Sequence, residues 1–494
     1  MNRFIVLFPP LLFLSDLLFW HTTPGINVLL FSVVMIAVLL RRYPSALRRR
    51  PVQVTAGGAL LSALMIFLHA SHWALFSCIL SLLMFSMFAS EAGLVSFFHA
   101  SLQALVSIFD FPLTFAHHRE QFSKNNRYRG KTRFYALVVL LPLLTATGFY
   151  LIYLWGSPHF FALNASFLNV IQGFFRNFSF AHFFFIAACG VALIILLLRG
   201  YNRIRTDKGL PFDLRRKRLP YFGRKTALKE EALAGLVTLV LLNALLLVVN
   251  VTDVEKVWIH FVLPEHFSLK DFVHNGTWIL SISILLSMIV TLRFFRGNLH
   301  FYSRNRWLKR LALAWLFQNA VLTFSVFLRN YHYMTWHGLA YGRIFVFFFL
   351  ALVMTGLASI AWKIVRTKSS YFLLRLNSAV IYGAILFAAL FNWDKVIVNY
   401  NLHAFNPAQI DVDFYLEAHE DVLPIVYNNL DVIRTQIEAH QKNPVHWISY
   451  HNIDEFTDHL EARRNSFLLK AEHGPWQSFT FADAEARKKM AEMK

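Results

Sequence analysis

Residues 325–346 read Ser-Val-Phe-Leu-Arg-Asn-Tyr-His-Tyr-Met-Thr-Trp-His-Gly-Leu-Ala-Tyr-Gly-Arg-Ile-Phe-Val and connect two long apolar segments. The connection carries Arg329 and Arg343, one at each predicted edge of the hydrocarbon. A helix needs about 20 mainly apolar residues to cross a bilayer, and both flanking segments approach that length. The stretch therefore predicts a membrane-spanning helical hairpin with a short turn that is rich in aromatic and basic side chains.

The composition extends this prediction to most of the chain. Of the 494 residues, 56% are hydrophobic, and the mean hydropathy is +0.47. These values exceed those of ordinary soluble domains. We therefore expect an all-α, polytopic membrane bundle of about 11 transmembrane helices, the first of them retained because no cleavage site follows it. The predicted segments are 4–20, 25–40, 54–70, 73–90, 134–154, 181–198, 232–250, 277–295, 311–328, 344–362 and 372–391.

The basic residues predict the orientation of this bundle. With the N-terminus in the cytoplasm, the inner loops together with Arg3 carry 33 Lys and Arg, whereas the outer loops carry 5. Cytoplasmic loops are enriched in basic residues, so we expect the N-terminus inside and the C-terminus outside. The alternation holds if the run 94–113 is interfacial or re-entrant. The net charge of +20 thus follows from topology, and nucleic acid is not an expected partner.

The last hundred residues differ in composition from the rest. Residues 393–494 hold 16 acidic and 10 basic residues and no apolar run long enough to span a membrane. We therefore divide the chain into a transmembrane bundle, 1–392, and a soluble extracytoplasmic α-helical tail, 393–494. Helices are predicted near 411–441, 452–471 and 481–493. Asn452 and Thr480 begin sequences typical of capping boxes, which mark the starts of helices.

Motifs for common catalytic and cofactor sites are missing from the sequence. It contains no nucleotide-binding glycine loop, no Gly-x-Ser-x-Gly elbow and no His-Glu-x-x-His zinc helix. His69 and His72 have a spacing that suits two metal ligands, but without a nearby carboxylate they are better interpreted as interfacial histidines. Cys78 and Cys189 lie in apolar runs and form no disulfide framework. No catalytic residue, cofactor or metal is predicted.

Ionisable residues near the outer edge of the bundle suggest a ligand site. Charges within membrane segments are costly and commonly functional. We expect Arg329 and Arg343 to pair with Asp16 and Asp394 in one pocket that binds an anionic small molecule or lipid head group. The alternative is that these side chains snorkel to the interface and form interhelical salt bridges. The predicted ligand-binding residues are Asp16, Arg329, Tyr333, Trp336, Tyr341, Arg343 and Asp394, with Trp20 as a further wall.

Several short passages resemble one bacterial family. Three of them lie in the middle of the chain: Phe272-Val-His-Asn-Gly-Thr-Trp278; the turn with Arg329, Tyr333, Gly338-Leu339 and Arg343; and Asn392-Trp-Asp394 followed by Asn401, Asp413, Tyr415 and Leu416. Two lie near the ends: Asp16-Leu-Leu-Phe-Trp20 with Pro24-Gly25, and Trp476-Gln-Ser-Phe with Ala484. Together they resemble the multi-pass membrane proteins of the domain of unknown function 4153/4173 group. That pattern has an acidic residue or Gln where Asn275 stands, which argues against proton chemistry there. The resemblance implies a bacterial cytoplasmic membrane location and no particular activity.

Two classes of function are compatible with the sequence. The first is a non-enzymatic membrane protein, either a permease or an assembly or sensory component whose tail meets an extracytoplasmic protein partner. The second is an intramembrane enzyme that acts on a lipid-linked or anionic substrate at the outer leaflet. The first is favoured because the sequence shows neither a nucleophile–base pair nor a set of metal ligands. In both classes the lipid bilayer is the surrounding partner.

Overall fold

The structure is a computed structural model that describes residues 2–122, 146, 179–198, 225–259, 269–295, 298–302, 305–442, 450 and 452–492. The described residues are all-helical. Eight of the helices are long and apolar enough to cross a membrane, by length and composition. The chain is therefore a multi-pass membrane protein of the predicted class. The predicted segment 134–154 lies outside the described residues except for Ala146.

The bundle contains eleven helices in its described part. They are α1 (Asn2–Phe19), α2 (Ile26–Arg42), α3 (Arg50–His69), α4 (His72–Ser90), α5 (Phe97–Phe122), α6 (Phe180–Leu197), α7 (Lys225–Asp253), α8 (Leu269–Phe294), α9 (Arg306–His337), α10 (Tyr341–Arg366) and α11 (Ser370–Ala388). A π-helical turn, Val254–Ile259, continues α7. Apolar residues buried between these helices form two separate clusters, one centred on α2–α4 and one on α7–α10.

The hairpin of 325–346 is present, but its turn is shorter than predicted. Helix α9 continues through the aromatic residues to His337, so Arg329 lies within the helix and not at its end. Gly338 has φ of +79°, a backbone conformation that glycine adopts more easily than other residues, and it ends α9. Helix α10 begins at Tyr341. The predicted turn at 329–343 is thus reduced to three residues, 338–340.

Helix α11 joins the two halves of the bundle. The Tyr382 hydroxyl lies 2.8 Å from Ser81 Oγ of α4, which belongs to the first apolar cluster. Phe372 and Leu373, at the start of the same helix, pack in the second cluster. Gly58 of α3 provides the space for the Tyr382 hydroxyl, because a Cβ at this position would overlap it. Helix α11 therefore contacts both groups of helices.

Helix α5 covers the run that was predicted to be interfacial or re-entrant. It is not among the eight candidate membrane spans of the described part of the chain. It packs against α4, where Ser107 Oγ lies 3.8 Å from Met87 Sδ and the ring of Phe97 meets that of Phe88 edge-on. Both contacts lie near the C-terminal end of α4. The interfacial placement itself stays a prediction.

The tail forms a small helical unit with its own apolar core. Its helices are α12 (Trp393–Leu402), α13 (Phe414–Glu417), α14 (Leu423–Tyr427), α15 (Leu430–Lys442), α16 (Ile453–His473) and α17 (Phe481–Glu492). Tyr415 and Phe456 are fully buried in its core. Both predicted helix starts are confirmed, because the side chains of Asn452 and Thr480 accept hydrogen bonds from the backbone N–H groups of Asp454 and Asp483.

Candidate functional site

Arg329 forms a buried ion pair inside the bundle. Its Nη2 lies 2.6 Å from Oδ1 of Asp253, and the two side chains are 9% and 10% exposed. Asp253 is the last residue of α7 and immediately precedes the π-helical turn. A buried charge is costly unless it is paired, so this carboxylate stabilises the guanidinium at that depth. Arg329 therefore belongs to the α7–α9 interface.

Arg343 holds the end of α9. Its Nη1 donates a hydrogen bond to the carbonyl oxygen of His337 at 2.8 Å and another to that of Gly338. The guanidinium also lies over the ring of Tyr333, 4.6 Å from its centre. A cation at the last carbonyl groups of a helix satisfies them and complements the helix dipole. These contacts give Arg343 and Tyr333 a role in shaping the turn.

Asp16 lies against α6. Its Oδ1 is 2.6 Å from Nε2 of His182, and the ring of Trp20 stacks on the same imidazole at 4.1 Å. Helix α1 packs against α6 and α2. The predicted pairing of Arg329 and Arg343 with Asp16 and Asp394 is therefore wrong. Helix α1, which carries Asp16, has neighbours other than those the prediction assumed, and Asp394 meets Tyr341 of α10 instead of Arg343.

Asp394 connects the bundle to the tail. Its Oδ1 accepts a hydrogen bond from the Tyr341 hydroxyl at 2.5 Å, and its Oδ2 accepts one from the backbone N–H of His419 at 3.0 Å. Tyr341 is the first residue of α10, whereas His419 belongs to the tail. Of the predicted ligand-binding residues, the structure brings together Tyr341 with Asp394 and, as described above, Tyr333 with Arg343. Trp336 lies elsewhere, half exposed beside Phe405.

A second contact fixes the tail to the α9–α10 turn. The Asn401 side chain accepts a hydrogen bond from the backbone N–H of Leu339 at 2.6 Å and donates one to the carbonyl oxygen of the same residue at 3.0 Å. A Cβ at Gly338 would come within 2.5 Å of Asn401 Oδ1. Gly338 is thus required both for its positive φ and for this close approach.

A third contact joins the two ends of the chain. The backbone N–H of Ile26 donates to the carbonyl oxygen of Phe479 at 3.0 Å, and that of Thr23 donates to Ser478 Oγ at 2.8 Å. The backbone of Ser478 and Phe479 lies so close to Gly25 that a Cβ there would come within 2.6 Å of it. The passages Pro24-Gly25 and Trp476-Gln-Ser-Phe, distant in sequence, therefore form one docking contact.

Residues of the first and third contacts line a cavity of about 1290 Å³ between the bundle and the tail, which we call the tail cleft. Its bundle side includes the α1–α2 and α3–α4 turns together with Tyr341. We call this end of the bundle the tail side. The charged and histidine side chains that line the cleft are His21, His72, Asp394, Glu417, His419, Glu420, Arg463, Lys470, Asp483 and Arg487.

His419 is the centre of an ionic cluster in the cleft. Its Nδ1 lies 3.2 Å from Oδ1 of Asp421 and 3.7 Å from Oδ1 of Asp483, and its Nε2 lies 3.8 Å from Oε2 of Glu420. Burial alone would lower the pKa of His419, but the hydrogen bond to Asp421 and the neighbouring carboxylates raise it to about 9. The imidazole is therefore cationic at neutral pH.

Asp421 ties this cluster to α12. Its Oδ2 accepts a hydrogen bond from the Asn392 side chain at 2.6 Å and lies 3.2 Å from Lys395 Nζ. Burial would raise the pKa of Asp421, yet the contacts with His419 and Lys395 lower it below its ordinary value. Burial raises the pKa of Asp483, whose Oδ2 accepts a hydrogen bond from the Thr480 hydroxyl. The cleft thus contains both signs of charge at fixed positions.

A family model described as Domain of unknown function (DUF4153) matches residues 56–429, well over half of the chain. The chain belongs to this family. The resemblance seen in the sequence is thereby confirmed. No curated protein and no solved structure matches this DUF4153 protein. The residues of the tail cleft are only partly covered by this match. Tyr341, Asp394 and His419 lie within the matched residues, whereas Trp476 and Asp483 follow residue 429.

Sequence reasoning missed most of the residues that line the cleft of this DUF4153 protein. Asp483 carried a signal only as part of a capping sequence. His419 carried none, because its burial beside Glu420 and Asp421 and the approach of Asp483 both depend on the tertiary fold. Among the described residues, no group of three or more His, Cys, Asp or Glu side chains is arranged to hold a metal ion. The chemistry that the cleft offers is ionic and hydrogen-bonding recognition.

Proposed function

We propose that this DUF4153 protein is a non-enzymatic ligand-binding protein of the bacterial cytoplasmic membrane. In this proposal it has about eleven transmembrane helices, a cytoplasmic N-terminus and an extracytoplasmic tail. The tail cleft binds an anionic small molecule or lipid head group at the outer surface. The observation that carries the proposal is the cavity of about 1290 Å³ whose polar lining comes from both the bundle and the tail.

The positions of the basic residues favour an anionic ligand. Lys470 of α16 and Arg487 of α17 line the tail wall and are exposed, and His21 and His72 line the bundle wall and are exposed as well. Ammonium and guanidinium groups form strong, charge-assisted hydrogen bonds to phosphate and carboxylate oxygens. The opposing walls would hold the anionic group of a ligand between them, with its remaining polar atoms near Glu417 and Glu420.

The ionic cluster favours binding over acid–base catalysis. A general base works best when its pKa lies near the working pH and its neutral form is well populated. The carboxylates around His419 raise its pKa to about 9, so this histidine is a poor base at neutral pH. A cationic histidine held by three carboxylates instead gives the cleft a fixed charge pattern, which is what selective ligand recognition requires.

The position of the cleft favours a sensory or assembly role among the non-enzymatic functions. A ligand in the cleft would touch the bundle and the tail at the same time. It would therefore change how firmly the tail is held, in addition to the hydrogen bonds that Asp394 and Asn401 already make with Tyr341 and Leu339 of the bundle. An extracytoplasmic protein partner of the tail would respond to that change, because a ligand shifts an equilibrium by its differential affinity for the two states.

The test is a thermal-shift measurement on the full-length protein in neutral detergent. The probes are inorganic phosphate, glycerol 3-phosphate, dihexanoyl phosphatidylglycerol and dihexanoyl phosphatidylcholine. We expect one or more of the phosphate-bearing probes to raise the melting temperature of the wild type. The variant K470Q/R487Q should lose most of that rise, because both cations of the tail wall are removed.

The matched control is Lys488→Gln, which removes an exposed cation next to Arg487 on the same helix but outside the cleft lining. It should respond like the wild type. An equal response from K470Q/R487Q would place the binding site elsewhere and contradict the proposal. If probes bearing a hydrolysable phosphate ester were consumed during the measurement, the enzymatic alternative would replace the binding role.

A further inference from the structure

A second cavity lies in the bundle, away from the tail cleft. It has a volume of about 620 Å³ and is bordered by α8, α10 and α11, with Phe98 of α5 at one edge. Ile289 of α8 and Ile381 of α11 line it and are 62% and 46% exposed, so the cavity opens sideways from the bundle toward the position of the lipid. We call this cavity the lateral groove.

The wall of the lateral groove is mainly apolar. Its apolar lining residues are Phe98, Met288, Ile289, Leu292, Ile360, Leu373, Leu374 and Ile381. Along α11 the groove extends from Ser370 to Ile381. At a rise of 1.5 Å per residue this is about 16 Å, or roughly the hydrocarbon thickness of one leaflet. Its length and polarity match one acyl chain lying alongside the helix.

One end of the lateral groove is basic. Lys363, near the C-terminal end of α10, lines the groove and its Nζ lies 3.2 Å from Ser370 Oγ, at the start of α11. Arg293, near the C-terminal end of α8, lines it too and keeps its side chain 69% exposed beside Glu231. Both residues lie at the end of the bundle opposite the tail side. The exposed guanidinium of Arg293 and the buried ammonium group of Lys363, a residue that is 3% exposed, thus lie at this end of the apolar wall.

We propose that the lateral groove is a binding site for an anionic phospholipid of the leaflet opposite the tail side. One acyl chain occupies the apolar wall, and the phosphate lies between Lys363, Ser370 and Arg293. Basic pockets between transmembrane helices are suited to anionic head groups, and the hydroxyl adds a hydrogen-bond donor. The inference is independent of the function proposed for the tail cleft, because the two sites share no lining residue.

The charge and the shape of the groove together select this occupant. A zwitterionic lipid would place its own ammonium group near Lys363 and Arg293, which weakens its binding. A free phosphate would leave the apolar wall uncovered by the ligand. Each basic residue near a membrane surface raises the binding constant for an anionic lipid by roughly fivefold. An anionic lipid should therefore be retained several-fold better than a zwitterionic one of the same chain length.

The test uses the full-length protein in neutral detergent, freed of native lipid by washing. It is incubated with equal amounts of dioleoyl phosphatidylglycerol and dioleoyl phosphatidylcholine, and native mass spectrometry counts the lipid that stays bound. We expect the wild type to retain the phosphatidylglycerol at least fivefold better. The variant R293Q/K363Q should lose this preference, whereas Arg366→Gln, an exposed cation of α10 outside the groove lining, should keep it.

A second variant keeps the test decisive if R293Q/K363Q does not fold. Leu374→Trp leaves both cations in place and fills the apolar wall from a position that is 41% exposed, so it should reduce retention of both lipids. Leu241→Trp, on an exposed position of α7 outside the groove, is its control. The proposal would be overturned if Leu374→Trp retained as much lipid as the wild type. It would also be overturned if the wild type retained the two lipids equally.

Discussion

Oδ1 of Asp253 lies 2.6 Å from Nη2 of Arg329, and the pair joins α7 to α9 within the bundle. Further polar contacts follow the same interface: the Gln318 side chain donates to Oδ1 of Asn243, and the Asn250 side chain donates to the carbonyl oxygen of Gln318. Interhelical hydrogen bonds are one of the few attractive forces between helices in lipid. The ion pair is therefore one member of a polar seam that fixes the position of α7 on α9.

Arg329→Gln should destabilise the protein strongly, because it leaves the Asp253 carboxylate buried without its cation. Removing one partner of a buried pair costs about 3–5 kcal/mol. The double variant D253N/R329Q should recover much of this loss, since it removes both charges. The measurement is the midpoint of thermal unfolding in detergent.

Arg293→Gln is the control for the buried pair, because it breaks an exposed ion pair with Glu231. It should lower the free energy of unfolding by less than about 1 kcal/mol. If D253N/R329Q had a lower midpoint of thermal unfolding than Arg329→Gln, the two charges would not stabilise each other in the folded protein.

Gly25→Ala should release the tail from the bundle. The new Cβ would come within 2.6 Å of the Ser478 backbone, which cannot move aside as a flexible side chain would. Because φ at Gly25 is −163°, the effect depends on space and not on backbone strain. The measurement is oxidative cross-linking of T23C/S478C, whose parent residues are hydrogen-bonded at 2.8 Å.

Gly57→Ala provides the comparison for Gly25→Ala, because a Cβ at Gly57 meets nothing within 4 Å. Cross-linking should be slowed at least severalfold in Gly25→Ala and should be unchanged in Gly57→Ala. Equal cross-linking in the two variants would mean that the tail tolerates the extra methyl group.

The sequence was sufficient to predict the class of fold and the ends of several elements. Apolar runs of helix length predict a multi-pass bundle because the bilayer imposes that length on any crossing helix. The helix starts at Asn452 and Thr480 were predictable because capping depends on residues three or fewer positions away. The end of α9 was predicted wrongly, at residue 328, because the helix continues to His337 and ends at Gly338, whose φ is positive.

The pairing of the charged residues was not predictable in the same way. Arg329 lies near Asp253 because α7 is a neighbour of α9, and Asp16 lies near His182 because α6 is a neighbour of α1. Which helices become neighbours depends on packing over the whole bundle, and hydropathy contains little of that information. His419 was missed for the same reason, since Asp483 reaches it from a different helix.

The isolated fragment 402–494 should be soluble and substantially helical. Its core residues Tyr415, Phe456 and Leu460 are fully buried, and the helices that cover them belong to the tail. Circular dichroism of the purified fragment measures this. Phe456→Ala should unfold the fragment, since such a truncation costs about 3–5 kcal/mol, whereas Leu469→Ala, at a position 61% exposed, should not. A random-coil spectrum of the unaltered fragment would show that the tail folds only against the bundle.

The tail should lie outside the cytoplasmic membrane, because 33 basic residues fall in the predicted inner loops and 5 in the outer ones. Alkaline phosphatase fused after Lys494 should then be active, since the enzyme needs the oxidising compartment for its disulfides. Fusion after Lys368, in a predicted inner loop, should give an inactive enzyme. The opposite pattern would reverse the orientation and move the tail cleft to the cytoplasmic surface.

The ionic cluster of the tail cleft should make stability depend on pH. The pKa of His419 is about 9 in the folded protein, against an ordinary value of 6.5. Between these values the folded protein keeps a proton that the unfolded chain has lost. The stabilisation is therefore fully present below about pH 6.5 and is lost as the pH rises through about 9. Its size is on the order of 3 kcal/mol, since each unit of pKa difference corresponds to about 1.4 kcal/mol.

The measurement is the melting temperature of the full-length protein between pH 6 and 9.5, with His419→Gln as the comparison. The wild type should lose stability over this range more steeply than His419→Gln, which has no proton to lose at this position. The carboxylates of Glu420, Asp421 and Asp483 face the imidazole directly, and the ammonium group of Lys395 faces it through Asp421. Parallel profiles for the two proteins would show that His419 is not held as a cation, and the charge pattern assigned to the cleft would then have to be revised.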